Sequence, residues 1–327
     1  MKTKNILMMA AAMVVGFASC SSEDELAQSN YPADNVVRIN TNVNDMKTRA
    51  SYTTETLDAF SFYIKNEANE NYNYFNKKVE NKSGVWNPES MMLWQGAKQS
   101  VSIIAVAPYN KYANGDVSRA RDYTVSVETT QTESSCKSDF LVYKNMNFVP
   151  EEDLNSNGAV DVTFTHVFSL LNIHIEIGNQ FNGSDGLASN IIKNVKIGGT
   201  ITSCDVDFTT TPVSVIVDYT KSPTLVAPEE GDFEKATTEQ VRAAANYSAI
   251  LIPQTINEGF RIEFDIESES NGQTATTTYV WTSPESVTLE SGKSHLLKLT
   301  VGKDLMLIGN METTPWTEGT GGDLETE

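Results

Sequence analysis

The chain has 327 residues, 39% of them hydrophobic, which is enough for about two domains with a real core and excludes a wholly disordered protein. Its formal net charge is −19 at pH 7, so it repels phosphate backbones and we expect no nucleic-acid partner. Three histidines and three cysteines without a Cys-x-x-Cys pair provide no recognisable zinc site.

The N-terminus is typical of a lipoprotein signal peptide. Lys2 and Lys4 form a short basic region, and residues 6–17 form an apolar run that is too short to span a bilayer. The sequence Phe-Ala-Ser-Cys then places Cys20 where a lipoprotein carries its diacylated cysteine, and an acidic run follows that resembles an export signal to the outer face of the outer membrane. The alternatives are an ordinary secretory signal with an incidental cysteine, and a solvated linker.

The first predicted strand precedes a candidate processing site. Apolar and polar residues alternate with the period of a half-buried strand, and the inward set is Val37, Ile39, Thr41 and Val43. The chain then turns polar as far as Arg49 and Ala50, and an exposed Lys-Thr-Arg sequence is what a trypsin-like protease needs to cut after Arg49. The simpler alternative is a first strand that is followed by a charged loop.

From residue 57 onward one predicted strand follows another. The clearest segments are residues 58–64, 101–107, 160–166, 171–177 and 260–266. A dozen or so short strands with regular turns predict an all-β fold, with two sandwiches in series. Only residues 237–245 predict a short helix. His166 shares a face with apolar neighbours, so we expect it to be a core histidine and not a catalytic base.

Two local patterns leave alternatives open. If Cys20 carries lipid, Cys136 and Cys204 remain, and an oxidising compartment permits a disulfide between them, although neither state is specified by the sequence. Residues 153–161 resemble the start of a calcium loop, but Phe164 stands where such a loop requires a bidentate glutamate. We therefore interpret these residues as a turn that connects two domains.

The sequence contains almost no catalytic signal. It has no Gly-x-Ser-x-Gly elbow, no phosphate loop and no His-Glu pair with metal-binding spacing. Carboxylates are abundant, but none is singled out as half of a glycosidase pair. We therefore predict no enzymatic activity, no cofactor and no metal.

Five short motifs occur in order along the chain. They are Ala-Val-Ala-Pro-Tyr-Asn at 105–110, Phe-Thr-His at 164–166, Ile-Leu-Ile-Pro-Gln at 250–254, Leu-Glu-Ser-Gly-Lys at 289–293, and Thr-Pro-Trp at 314–316. Together they resemble the landmarks of the fimbrillin family of outer-membrane lipoprotein pilins (type V) of Bacteroidales-type bacteria. The resemblance covers essentially the whole mature chain.

This resemblance implies a domain organisation and a course of maturation. The fold would consist of two transthyretin-like β-sandwich domains. The predicted segments are a signal peptide at 1–19, a lipidated linker and removable first strand at 20–49, and domains at 50–156 and 157–327. The resemblance further implies palmitate-type lipid on Cys20, exposure on the cell outer membrane, and cleavage between Arg49 and Ala50 by an arginine-specific protease.

The resemblance also implies assembly by strand exchange between pilin subunits. Loss of the first strand would open an acceptor groove at the place of Val37, Ile39, Thr41 and Val43, and a C-terminal segment of a neighbour would fill it. The candidate donor residues are Leu305, Leu307 and Met311, with Met306 and Ile308 as the offset set. Because the residues after 316 are polar and glycine-rich, a tip or accessory subunit, or an ordinary last strand, are the alternatives.

The predicted function is a structural or adhesive subunit of surface fimbriae, with a host or glycan ligand as a further partner. The alternative is a monomeric outer-membrane lipoprotein that binds glycans, in which Trp86, Trp94 or Trp281 stacks on sugars. The competing interpretation is that these tryptophans belong to the core, because large aromatic side chains dominate burial.

Overall fold

The computed structural model describes residues 29–43, 52–113, 115–132, 138–178, 190–234, 243–270, 273–302 and 306–316. The predicted signal peptide, Cys20, Arg49, Ala50, Cys136 and Leu305 lie outside these residues. Strands make up most of the described chain, which confirms the predicted all-β fold class. In the described residues, no helix has the length and apolar character needed to cross a membrane.

The first half of the chain builds one large sheet. The elements of this half in chain order are β1 (Arg38–Val43), β2 (Ala59–Lys65), β3 (Tyr74–Lys82), β4 (Val85–Pro88), β5 (Val101–Ala107), β6 (Tyr123–Ser126), β7 (Leu141–Phe148), α1 (Pro150–Asp153) and β8 (Ala159–His166), and all of these strands except β6 belong to the large sheet. Two three-residue 3-10 helices, Glu70–Tyr72 and Val117–Arg119, lie in its connections. The sheet has the order β1-β8-β7-β5-β2-β3-β4, and β1 is its only parallel strand among the described residues.

The second half contributes the remaining elements. They are β9 (Ser169–Ile177), β10 (Asn190–Thr200), β11 (Ser203–Asp207), β12 (Ser214–Val217), β13 (Thr224–Val226), β14 (Glu229–Glu234), β15 (Ala244–Leu251), β16 (Gln254–Ile256), β17 (Arg261–Ser270), β18 (Gln273–Thr282), β19 (Val287–Leu289), β20 (Lys293–Val301) and β21 (Met306–Pro315). They form a five-stranded sheet β14-β15-β9-β20-β21, a four-stranded sheet β13-β10-β17-β18 and a pair β16-β19. The predicted helix is wrong at its end, because Ala244 begins β15, while residues 235–242 lie outside the described chain.

Alternating apolar residues explain how these sheets pack. Ile173 and Ile175 of β9 share a hydrophobic core with Ile262, Phe264 and Ile266 of β17, so the five-stranded and four-stranded sheets form a sandwich. In the first sheet, both faces of the central strand β5 are buried, which fits the nearly continuous apolar run of its sequence.

The two halves of the chain share strands and a core. β6 of the first half pairs with β11 of the second in a three-stranded sheet β12-β11-β6. A common core contains Ile104 and Val106 of the first sheet together with Val206, Phe208 and Ile250 of the second half. The first sheet also extends beyond the predicted boundary at residue 156, because β8 belongs to it. A division at 156/157 therefore separates β8 from its own sheet.

Candidate functional site

The first strand lies at the edge of the seven-stranded sheet and buries one of its faces. β1 pairs in parallel with β8 from Arg38 opposite Ala159 to Val43 opposite Phe164. Exposed and buried residues alternate along it without exception, and the buried set, with the neighbouring Val37, is Val37, Ile39, Thr41 and Val43. The predicted half-buried strand is therefore confirmed, and its inward residues pack into the core of this sheet.

Both ends of β1 are held by hydrogen bonds to other segments. At the start, the Val37 N–H donates to the Met92 carbonyl oxygen at 3.0 Å. At the end, the Val43 N–H donates to Thr54 Oγ1 at 3.0 Å, and that hydroxyl donates to Asn42 Oδ1 at 3.0 Å. The chain that follows the predicted processing site therefore caps the strand that precedes it.

The middle of β1 combines a polar link and a buried polar atom. Asn40 Nδ2 donates to Asp161 Oδ1 on β8 at 2.9 Å. Thr41 points inward, and its Oγ1 is buried with no hydrogen-bond partner in the described part of the chain. Beside it lies a cleft of about 540 Å³ that also contacts Thr54 and Trp86. An unsatisfied buried hydroxyl of this kind lowers stability, so β1 is an imperfect occupant of its site.

A buried cluster connects the segment after residue 51 with the C-terminal end of the described chain. The Tyr52 N–H donates to Asp139 Oδ2 at 3.0 Å, and Asp139 Oδ1 lies 3.1 Å from His166 Nδ1. The His166 ring stacks on Trp316, with ring centroids 3.8 Å apart and planes 8° from parallel. The backbone N–H of Trp316 in turn donates to the Gly292 carbonyl oxygen at 3.0 Å. We refer to Tyr52, Asp139, His166 and Trp316 as the terminal cluster.

The terminal cluster was predicted only in part from the sequence. His166 is buried, which confirms its prediction as a core histidine, and its side chain and that of Asp139 are fully inaccessible. The contact with Asp139 could not be predicted, because periodicity says which face a residue takes but not which distant residue it meets. The sequence identifies Trp316 only as part of the Thr-Pro-Trp motif at 314–316.

The last strand lies at the edge of the five-stranded sheet. β21 pairs antiparallel with β20, from Met306 opposite Val301 to Pro315 opposite Lys293. Of the candidate donor residues, Leu307 lies in this strand opposite Thr300, Met311 is partly buried against the core, and Leu305 lies outside the described residues. In this structure the candidate donor segment thus occupies the last strand of its own sheet.

A buried histidine of β20 supports this edge. His295 Nε2 accepts a hydrogen bond from the Glu290 N–H at 3.0 Å, and its Nδ1 lies 3.1 Å from Thr313 Oγ1 on β21. Burial lowers the pKa of His295 below its ordinary value. Since Nε2 is an acceptor, the neutral ring carries its proton on Nδ1 and donates it to Thr313.

The three tryptophans considered for sugar stacking are all in the interior. Trp86, Trp94 and Trp281 are 8%, 3% and 9% exposed, and Trp94 stacks on Phe148 at 5.7 Å. Their interpretation as core residues is therefore confirmed. Their burial leaves little ring surface for a glycan.

The calcium-like segment is a turn in this structure. Asn155 Oδ1 accepts hydrogen bonds from the Asn157 and Ala159 N–H groups at 2.9 and 3.0 Å, and its Nδ2 donates to Asp161 Oδ1 at 2.7 Å. Among the described residues there is no group of three or more metal-ligating side chains.

Cys204 is a buried free thiol whose pKa is raised to about 12 by burial, which makes it a poor nucleophile.

The structure is that of a β-sandwich protein in which the first and last described strands, β1 and β21, both lie at the edge of a sheet. The family model for fimbrillin-like proteins matches residues 48–316, so the chain belongs to the fimbrillin-like family, as the motifs had indicated. The matched region begins after β1 ends at Val43. Membership in this family indicates a fimbrial protein of the cell surface.

Solved structures from Bacteroides have the same fold. A fimbrial protein from Bacteroides vulgatus ATCC 8482 is 15% identical, with a TM-score of 0.57 over 85% of this chain and 99% of that protein. A proposed cell adhesion protein from Bacteroides ovatus ATCC 8483 is 15% identical, with a TM-score of 0.57 over 87% and 98%. Another from Bacteroides uniformis ATCC 8492 is 17% identical, with a TM-score of 0.53 over 87% and 100%. No curated protein matches this chain in sequence.

Proposed function

We propose that this chain is a structural or adhesive fimbrial subunit in which β1 is a removable plug. In the proposal the chain is exported as a lipoprotein on Cys20, anchored in the outer membrane and cut between Arg49 and Ala50. A strand from a neighbouring subunit then takes the place of β1. The observation that carries the proposal is the edge position of β1 together with its four inward side chains.

The energetics of this edge support replacement rather than simple loss. Full burial of a valine or isoleucine side chain stabilises a fold by about 1.5–3 kcal/mol, and β1 with its neighbour provides three such residues, Val37, Ile39 and Val43. Removing β1 would expose these apolar slots and the backbone edge of β8. A protein with such an open edge pairs readily with another strand, which satisfies the backbone groups and fills the slots together.

The unpaired hydroxyl of Thr41 favours replacement of β1 by a strand from another subunit. A buried hydroxyl without a partner lowers stability by about 1–3 kcal/mol. A donor strand with an apolar residue at this position would avoid that loss. The plug would then bind its site less tightly than a well-matched donor, as an exchangeable strand requires.

The donor assignment rests on β21 leaving its own sheet. The candidate residues Leu305, Leu307 and Met311 lie in or beside this strand, and the residues from Glu312 to Pro315 are exposed. Detachment of that stretch would therefore expose little apolar surface, although Trp316 would have to leave its stack on His166.

Protease treatment tests the proposal. Purified residues 21–327 are incubated with an arginine-specific protease, and the products are analysed by mass spectrometry and by gel electrophoresis without boiling. We expect an N-terminal fragment that ends at Arg49, and polymers that resist mild denaturant. An Arg49→Gln variant is the matched control and should remain uncut and monomeric. Clean cleavage at Arg49 that leaves only monomers would contradict strand exchange.

A further inference from the structure

An aromatic cleft of about 470 Å³ lies between the β5–β6 connection and β6, far along the chain from either terminus. Five aromatic side chains line it, namely Tyr109, Tyr112, Tyr123, Phe140 and Phe168. Phe140 and Phe168 are buried, so they form its base, whereas Tyr112 is 79% exposed. We call this set, together with Asn110 and Lys111, the tyrosine cleft.

Hydrogen bonds hold the rim of the tyrosine cleft in place. The Asn110 N–H donates to Ser61 Oγ at 3.3 Å, and Asn76 Nδ2 donates to the Asn110 carbonyl oxygen at 2.9 Å. The Tyr112 N–H donates to Asn110 Oδ1 at 3.0 Å. Because Ser61 and Asn76 belong to β2 and β3, the rim is fixed to the sheet. The cleft is therefore preformed.

The opposite wall is fixed by aromatic packing. The Tyr123 ring contacts Phe208 edge to face, with centroids 5.4 Å apart, and Phe140 at 5.9 Å. Phe140 in turn packs on Phe168 at 5.6 Å. A ligand would meet rigid rings and would not have to order them, which favours binding.

The charges at the tyrosine cleft set it apart from the rest of this acidic protein. Lys111 Nζ lies 4.8 Å from the centre of the Tyr112 ring, and Lys111 forms no ion pair with any described residue. Asp139 also lines the cleft, but its two oxygens are engaged by the Tyr52 N–H and by His166. Asp139 is fully buried, so Lys111 is the exposed charged group among the lining residues, in a chain whose net charge is −19.

The chemistry of these groups indicates the class of ligand. Small-molecule sites are preformed clefts of about 300–1,000 Å³ with aromatic walls and a few convergent polar groups. A tyrosine ring combines a flat apolar face with a polar tip, which matches the apolar C–H face and hydroxyl edge of a pyranose sugar. A metal ion would require several free carboxylates, and the one carboxylate here is engaged.

We propose that the tyrosine cleft binds a carbohydrate, with a carboxylate-bearing sugar such as a uronic or sialic acid beside Lys111. Tyr112 stacks on the sugar ring, and Asn110 and Lys111 bind its polar groups. This inference rests on the adhesive part of the proposed function and is independent of strand exchange. It also places sugar stacking on the exposed Tyr112, since the tryptophans of the described chain are buried.

Three glycans and four proteins test this proposal. The full chain in detergent is screened on an array of neutral, uronic acid and sialic acid glycans, and affinity is then measured by calorimetry for sialyllactose, lactose and a hexuronate tetrasaccharide. The proteins are the unchanged chain, Tyr112→Ala, Lys111→Gln and the control Tyr219→Ala. Tyr219 is also exposed, at 62%, but lies outside the tyrosine cleft.

We expect an acidic glycan to bind at least ten-fold more tightly than lactose. Tyr112→Ala should weaken binding of both at least ten-fold, Lys111→Gln should abolish the preference for the acidic glycan, and Tyr219→Ala should change neither. Thermal unfolding should be the same for the unchanged chain, Tyr112→Ala and Lys111→Gln, because these two side chains are exposed, and slightly lower for Tyr219→Ala, because the Tyr219 hydroxyl accepts a hydrogen bond from the Thr255 N–H at 3.1 Å. No glycan binding, equal loss in Tyr219→Ala, or unchanged binding in Tyr112→Ala would overturn the proposal, and an unchanged preference in Lys111→Gln would overturn its carboxylate part.

The assembly assay separates the two proposals. Tyr112→Ala should polymerise normally after cleavage at Arg49. A chain that polymerises but binds no sugar would contradict only the tyrosine cleft. A chain that binds acidic sugars but stays monomeric after cleavage would contradict only strand exchange.

Discussion

The first and last strands are both edge strands, but they are held in different ways. β1 inserts a full row of alternate side chains into a core and pairs in parallel with β8. β21 pairs antiparallel with β20, and the four residues from Glu312 to Pro315 are exposed, so backbone pairing and the buried Trp316 hold that part of the strand. The comparison shows that an edge strand can be held by burial of its side chains in a core or mainly by backbone pairing with its neighbour. Side-chain substitutions should therefore act strongly on the inward face of β1 and weakly at residues 312–315 of β21.

The largest expected effect is that of a charge on the inward face of β1. Ile39→Asp should lower the free energy of unfolding by about 4 kcal/mol, because it removes a buried side chain and places a carboxylate in an apolar slot. Thr314→Asp is the matched change on the exposed side of β21 and should alter stability by less than about 0.5 kcal/mol. Urea unfolding measures both. Equal losses in the two variants would remove the distinction between the strands.

The next effect concerns the anchor of β21. Trp316→Ala should lower the free energy of unfolding by about 3 kcal/mol, because the ring is 3% exposed and stacks on His166. Hydrogen exchange should accelerate in β21 more than in β1, and Trp316→Phe should restore part of the protection. If exchange in β21 is unchanged, backbone pairing alone holds this strand.

A stabilising change is expected at Thr41. Thr41→Val replaces the unpaired buried hydroxyl by a methyl group and should raise the free energy of unfolding of the uncut chain by about 1 kcal/mol. Thr165→Val on β8 is the control, because that hydroxyl donates to the Val142 carbonyl oxygen and its removal brings no gain. After cleavage, Thr41→Val should also slow polymerisation. A destabilised Thr41→Val chain would show that the hydroxyl is satisfied in solution.

The smallest effect is a pH dependence at the β20–β21 junction. Burial lowers the pKa of His295, so the folded chain binds fewer protons at this group than the unfolded chain. Its contribution to stability is complete above the unfolded pKa of about 6.5 and is lost as the pH falls through that value. The stability difference between pH 7.5 and pH 5.5 should therefore be smaller in His295→Gln. An equal difference in both proteins would rule out His295 as its source.

Sequence patterns predicted which face of a strand each residue takes better than they predicted which strands pair with each other. The inward residues of β1 were identified one by one, because a period of two residues distinguishes a buried face from an exposed one. The pairing of β1 with β8, and the place of β8 in the first sheet, depend on contacts across about 120 residues that no local pattern encodes. The end of the predicted helix, at Ala244 and Ala245, is wrong for a related reason, since tertiary pairing in β15 overrides a weak helical preference.

The candidate sites show the same limit. The edge strand could be predicted because one segment forms it. The tyrosine cleft could not, because Tyr112, Tyr123 and Phe168 come from three separate segments that only the folded chain brings together. The sequence suggested tryptophans for sugar binding because of their size, and that same size places them in the core.

The short connection between β1 and the chain that caps it affects the competition between β1 and a donor strand for the groove. Eight residues separate Val43 from Tyr52, so in the uncut chain β1 is a tethered ligand of its own groove. For a short tether, the effective concentration of such a ligand is on the order of millimolar, and a free donor strand must outcompete it. A cut at Arg49 would remove that advantage at once, and the occupant of the groove would then be decided by mass action. One hydrolysed peptide bond would thus make assembly depend on the local density of subunits.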